Sequence, residues 1–214
     1  MFVMRGAILL ILISLISGCN RAPENLTSSK DKLSTYYEQG WFERDVKQVV
    51  DDAIAYFNSR TCCGPTSAVV FDIDDTLLWS YYQMKDISFG YVPQLFREWV
   101  RKGDAPAVPH IKRLYDFFVS RGCFIVLLTG RKNSEREVTL ANLSQEGFNK
   151  VDLLIMRDPH EEKLSSIEYK AARRQQLEQQ GYTVIATVGD QYSDLEGGYA
   201  KYQVKIPNYT YTLN

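Results

Sequence analysis

Residues 68–78, Ala-Val-Val-Phe-Asp-Ile-Asp-Asp-Thr-Leu-Leu, constrain the fold more than any other stretch of the chain. Ala68 to Phe71 is a short apolar run of the kind that forms a fully buried strand. It stops abruptly in Asp72, Asp74 and Asp75, followed by Thr76. Carboxylates at the end of a buried strand are expensive unless a cation, a partner or solvent receives them. In open parallel sheets, ligands bind just outside the carboxyl ends of the strands. The acids therefore mark where a metal ion and a reacting group are expected to meet.

The rest of the chain supplies more strands that end the same way. Cys123 to Leu128 is apolar and leads into Thr129-Gly130-Arg131. Residues 152–156 are a third short strand, and 182–188 a fourth that ends in Gly189-Asp190. A last strand falls near 203–206. Helical patterning lies between them: residues 41–59 carry Phe42, Val46, Val49, Val50, Ala53, Ile54 and Phe57 on one face, and helices are expected near 93–101, 109–120, 134–146 and 167–180. Pro93 and Pro109 suit first turns, and Gly147 and Gly181 suit stops. Strands alternating with helices predict a parallel α/β sheet with right-handed crossovers. Asp72, Thr129 and Asp190 would then share one rim.

On a turning chain, Asp72 and Asp74 suit a nucleophile beside a separate general acid/base. Asp190 adds a carboxylate of the kind that, with few others and phosphate oxygens, holds Mg²⁺. Phosphoryl transfer asks mainly for positioning and charge neutralisation. Thr129 offers a hydroxyl, and Lys170 a positive charge with Lys163 and Arg173 as rivals. Arg131 suits either a substrate phosphate or a carboxylate partner. His110 and His160 are isolated and have no place in such chemistry. The net charge of −1 gives no basic footprint for a nucleic-acid polymer.

The N-terminus reads differently. Arg5, an apolar run from Ala7 to Ile16, and Ser17-Gly18-Cys19 have the layout of an export signal, and the run is shorter than the roughly 20 residues of a membrane span. The Ile16-Ser17-Gly18-Cys19 ending resembles the lipobox of bacterial lipoproteins. That resemblance implies cleavage after residue 18, lipidation of Cys19 and attachment to a membrane of the bacterial cell envelope. Asn20, rather than Asp, is compatible with the outer membrane. Residues 19–36 are polar and read as a tether to a domain at 37–214. Export permits disulfides, and because Cys62-Cys63 precede the first strand and Cys123 opens the second, a bridge from one of them to Cys123 is conceivable; buried or free thiols are the expectation, and the spacing matches no zinc site.

Four segments together resemble the haloacid dehalogenase (HAD) superfamily. Asp72-Ile73-Asp74-Asp75-Thr76 resembles its first motif, Thr129 in Leu-Leu-Thr-Gly-Arg its second, Lys170 its third, and Gly189-Asp190-Gln191-Tyr192-Ser193-Asp194-Leu195 its fourth. The Gly-Asp-Gln-x-Ser-Asp-Leu run and Lys205-Ile206-Pro207-Asn208 are similar to the acid phosphatase subgroup of plant vegetative storage proteins and bacterial class B/C lipoprotein phosphatases. The resemblance implies a Rossmann-like three-layer α/β core with the first-motif strand central and a small helical cap inserted at about 79–122.

It also implies roles. Asp72 would attack phosphorus, and Asp74 would protonate the leaving alcohol and then activate water. Mg²⁺ would sit on Asp72, the Asp74 carbonyl and Asp190, while Asp194 supports the metal or holds Lys170. Thr129 and Lys170, with Arg131 in one of its two roles, would grip the phosphoryl group. The expected activity is hydrolysis of small phosphomonoesters, nucleotides among them; a non-catalytic storage or binding protein and a phosphotransferase are the alternatives. Tyr81, Tyr82, Phe89, Tyr91 and Trp99, just after the first motif, are offered for stacking on substrate or for the core.

Overall fold

The computed structural model describes residues 23–60 and 63–213. Five parallel strands form one sheet: β1 (Ser67–Phe71), β2 (Phe124–Lys132), β3 (Leu153–Arg157), β4 (Thr183–Gly189) and β5 (Gln203–Lys205), in the order β3-β2-β1-β4-β5. The strand that carries the acids is thus central. Its Phe71 is in register with Leu127 of β2 and Val188 of β4, so Asp72, Thr129 and Asp190 leave the sheet at nearly the same height.

Strands buried on both faces carry apolar side chains at consecutive positions. Val69, Phe71, Ile125 and Leu127 face one core, whereas Ala68, Val70, Val126 and Leu128 face another beneath Tyr169 and Leu177. The first core is covered by α2 (Trp41–Asn58) and α5 (Ile111–Ser120), the second by α7 (Ser166–Gln179). The result is the expected three-layer α/β architecture. The remaining helices are α1 (Leu26–Glu38), α3 (Tyr81–Asp86), α4 (Pro93–Lys102), α6 (Arg136–Gln145) and the single turn α8 (Tyr192–Leu195).

Three expectations are corrected. Most of the polar tether is helix α1. The Asn25 side chain caps it by accepting from the Thr27 and Ser28 amides, and its last turn buries Tyr37 against Phe42 and Tyr81. A helix whose apolar residues cluster at one end shows little periodicity, and tertiary packing supplies its stability. The cap is also smaller than 79–122: α3 and α4 lie beside the rim, but α5 packs on α2 and β2 as the crossover helix. Third, Cys63 and Cys123 form a disulfide, with Cα atoms 5.0 Å apart. They precede adjacent strands, the placement that kept such a bridge open in the sequence. Cys62, Cys19 and the export signal at 1–18 lie outside the described residues.

Candidate active site

The site is built by the turn that follows β1. The Asp72 amide still donates to the Val188 carbonyl of β4, 2.9 Å away. The chain then folds back: the amides of Leu77 and Leu78 both donate to the Ile73 carbonyl at 2.9 Å, and Asp75 takes a left-handed conformation, φ +56°. That conformation is uncommon outside glycine and is tolerated best by Asn and Asp. The turn brings Asp72 and Asp74 to one cavity of about 250 Å³. Asp75 points away from it. Its carboxylate accepts from the Ser80 amide (2.8 Å) and from the hydroxyls of Ser80 and Tyr211 (2.7 and 2.8 Å), so it secures the turn.

Lys170 reaches Asp72 from α7. Its ammonium donates to the Asp72 carboxylate at 2.5 Å and also bonds Asp194, with all three side chains almost fully buried. Burial alone would lower the Lys170 pKa, but Asp194 and Asp72 outweigh it and hold the group above its ordinary value. Burial pushes Asp72 up to about 7; Lys170 opposes the rise, and Asp194 and Asp74 add to it.

Asp190 is held by three donors: the Gln191 side-chain amide at 2.6 Å, the Asn208 amide at 2.7 Å and the Thr76 hydroxyl at 3.2 Å. Burial, then the nearby Asp194, Asp72 and Asp75, raises its pKa well above a normal carboxylate. Asp194 is fixed from behind. The Gln191 amide donates to its carboxylate (2.8 Å), while Thr187 and the buried Arg174 donate to its carbonyl (2.8 and 2.7 Å). A Cβ on Gly189 would overlap the Asp194 side chain, which explains the glycine in Gly-Asp-Gln.

Asp72, Asp190 and Asp194 each bring a carboxylate oxygen within 4.8 Å of the others. Three buried acids at this separation, with one lysine between two of them, suit a hard divalent cation that takes oxygen ligands. Asp194 therefore belongs to the acid cluster itself. The Asp74 carboxylate does not: Arg131 binds it through Nε (3.1 Å to both oxygens) and Nη2 (2.7 Å). Arg131 also donates to the Thr139 hydroxyl at 3.0 Å and lies 6.0 Å from the Trp99 ring centroid. Of its two expected roles, the structure displays the carboxylate pair. Thr129 is fully buried, with its hydroxyl accepting from the Arg131 amide at 3.1 Å, while Gly130 and Arg131 line the cavity above it.

Among the offered aromatics, Tyr91 is 55% exposed and reaches the cavity, joined by Phe96; Tyr81 is buried in the core. His110 is near Glu43 (3.2 Å), and His160 is exposed; neither lines the cavity. Sequence reasoning missed Arg97, Arg157, Tyr211 and Leu213, which do line it, and Asn208, which grips Asp190. The position of Arg157 at the carboxyl end of β3 was the one available signal.

A parallel sheet with a central acid-bearing strand, a lysine from the far helix and paired acids after β4 defines a HAD-type core. The model of HAD superfamily subfamily IIIB (acid phosphatase) matches residues 16–214, and the chain belongs to that family. Stem 28 kDa glycoprotein of Glycine max is 37% identical over 166 residues, 74% of this chain and 65% of that protein. Acid phosphatase 1 of Solanum lycopersicum is 31% identical over 188 residues, 86% of this chain and 74% of that protein. This chain therefore spans only about two thirds of the soybean relative. A class C acid phosphatase from Bacillus anthracis shares the fold, with a TM-score of 0.71 at 20% identity over 87% of this chain and 86% of that one. The curated relatives are plant proteins, which overturns the expectation of a lipid-anchored protein of the bacterial cell envelope.

Proposed function

We propose that this chain is a magnesium-dependent acid phosphatase that hydrolyses small phosphomonoesters, nucleoside monophosphates among them, through a phosphorylated Asp72. The observation that carries this is Lys170 clamped between Asp72 and Asp194, beside Asp190 and at the floor of the cavity that Asp74 also lines. In that arrangement an Asp72 oxygen attacks phosphorus, and the bond from phosphorus to the ester oxygen breaks. Asp74 gives the leaving alcohol its proton. It then takes a proton from water, which attacks the acyl phosphate and frees Asp72. Lys170 keeps Asp72 aimed and offsets charge on the transferring group. Thr129 and Gly130 bring hydroxyl and backbone donors to the rim. Mg²⁺ on Asp72, Asp190 and the Asp74 carbonyl, with Asp194 beside them, would neutralise phosphoryl oxygens.

The test is hydrolysis of an aryl phosphate by purified protein with Mg²⁺, with loss of turnover on chelation and in a folded Asp72→Asn variant. Turnover that survives Asp72→Asn rules out the acyl-phosphate route. A wild type inert across a panel of monoesters would favour a storage or binding protein on the same fold. Phosphate transfer to an added alcohol, in preference to water, would favour a phosphotransferase.

A further inference from the structure

Among the described residues, two arginines that line the cavity have no ion-pair partner. Lys170 is shared by Asp72 and Asp194, Arg131 is given to Asp74, and Lys132 pairs with Glu162 at 2.6 Å. Arg157 and Arg97 also line the cavity, and among the described residues neither forms an ion pair. Arg157 leaves the end of β3 with its guanidinium 4.6 Å from the Tyr169 ring centroid. Its single hydrogen bond is a long one, 3.5 Å from Nη1 to the Leu164 carbonyl, and its buried Nε and Nη2 have no partner. Arg97, on α4, lines the same cavity and has no hydrogen bond of its own among the described residues.

Buried charged donors without acceptors are costly, and a fold that keeps them needs a reason. A guanidinium held by a ring face rather than by carboxylates can slide in its own plane to meet an anion. The position is informative too. The acids cluster at β1 and β4, whereas Arg157 ends β3, two strands from β1 in the sheet order. Two strand spacings are about 10 Å. A phosphoryl group seated on Asp72 therefore leaves room for a leaving group extending toward Arg157, past the half-exposed rings of Tyr91 and Phe96.

We propose that Arg157 and Arg97 form a second anion subsite, and that the preferred substrate is a phosphomonoester whose leaving group carries a further phosphate or carboxylate. This rests on the phosphatase reading above for turnover, but not for binding. Two matched pairs of esters test it: 4-carboxyphenyl against 4-carbamoylphenyl phosphate, and an alkanediol bisphosphate against the corresponding alkyl monophosphate. The wild type should favour the charged member of at least one pair by about tenfold or more in kcat/KM, as expected for one charge-assisted contact. The responding pair tells carboxylate from phosphate. Arg157→Gln and Arg97→Gln should each bring that ratio toward one, and Arg157→Lys should restore part of it. Calorimetric binding of the same esters to Asp72→Asn reports the subsite without turnover. Ratios near one in both pairs, or ratios that neither arginine variant moves, overturn the subsite. Absence of turnover with every ester overturns the phosphatase reading instead, and the binding preference on Asp72→Asn still decides the subsite.

Discussion

Replacing Lys170 by methionine removes the one cation that separates two buried carboxylates while keeping most of the stem. Asp72 and Asp194 would then face each other, with Asp190 contributing a third oxygen inside the same 4.8 Å cluster. Breaking a buried ion pair from one side costs about 3–5 kcal/mol, because the other charge is left uncompensated. A domain of this size loses roughly 2–4 °C in Tm per kcal/mol, so Lys170→Met should melt about 6–20 °C below the wild type in chelator. The same cluster, one positive charge poorer, should hold a divalent cation more tightly. A ligand at 100 times its Kd adds about 2.7 kcal/mol. Saturating Mg²⁺ should therefore raise the Tm of Lys170→Met by more than it raises that of the wild type. Thermal unfolding by circular dichroism, with EDTA and then with MgCl₂, measures both. A deficit below 2 °C in EDTA, or equal Mg²⁺ increments in the two proteins, would refute the account of Lys170 as the charge that holds the cluster together.

The Arg131 pairing makes a distinct prediction: Arg131→Met should leave Asp74 unaimed, lowering kcat for alkyl phosphates about tenfold or more while sparing activated aryl phosphates, whose leaving groups need no proton. Equal losses for both classes would point to a binding role for Arg131. Asn208→Ala removes one of three donors to Asp190 and should raise the Mg²⁺ concentration needed for half-maximal activity, with kcat at saturating Mg²⁺ changed less. Beyond the site, burial pushes the Glu161 carboxyl up, but Arg173 (2.7 Å) and the Asp158 amide outweigh it and hold the group below its ordinary 4.5. A depressed carboxyl stabilises the fold above its unfolded pKa and ceases to do so as pH falls through its folded value. The Tm deficit of Glu161→Gln should accordingly be present at pH 7 and shrink toward zero below about pH 4; a deficit that stays constant would sink this account.

What the sequence made legible was what is costly to hide. A four-residue apolar run ending in three acids has few places to go, and the strands ending in Thr129 and Asp190 follow the same logic, so the rim was readable before its geometry. The central position of β1 was implied by the family resemblance, and the strand order β3-β2-β1-β4-β5 emerged only from the structure. Features whose partners are remote in the chain were not readable. Tyr211 donates to Asp75 across 136 positions, and Asn208 bonds Asp190 from beyond β5. Tyr211 carries no local pattern that announces a role, and Asn208 was legible only as part of a run shared with the acid phosphatase subgroup, without its partner. For Cys63 and Cys123, 60 positions apart, the sequence left a bridge open, and only the adjacency of the two strands they precede decides it. Helix α1 escaped because its burial rests on Tyr37 at one end, too little to set a period.

The C-terminal segment shows why these gaps matter physically. The Tyr37 hydroxyl accepts from the Tyr209 amide, Tyr211 bonds Asp75, and the Leu213 amide donates to the Gln191 side chain, whose own amide holds Asp190. Residues 208–213 thus tie α1, the turn after β1 and the loop after β4 into one wall of the cavity. The acids could be read from two short segments, but their orientation depends on a third segment, residues 208–213, whose side chains and amides hold them in place. A sequence motif names the groups that react; the contacts that hold those groups at a working angle are spread over the whole chain, and their signal is correspondingly weak at any one residue.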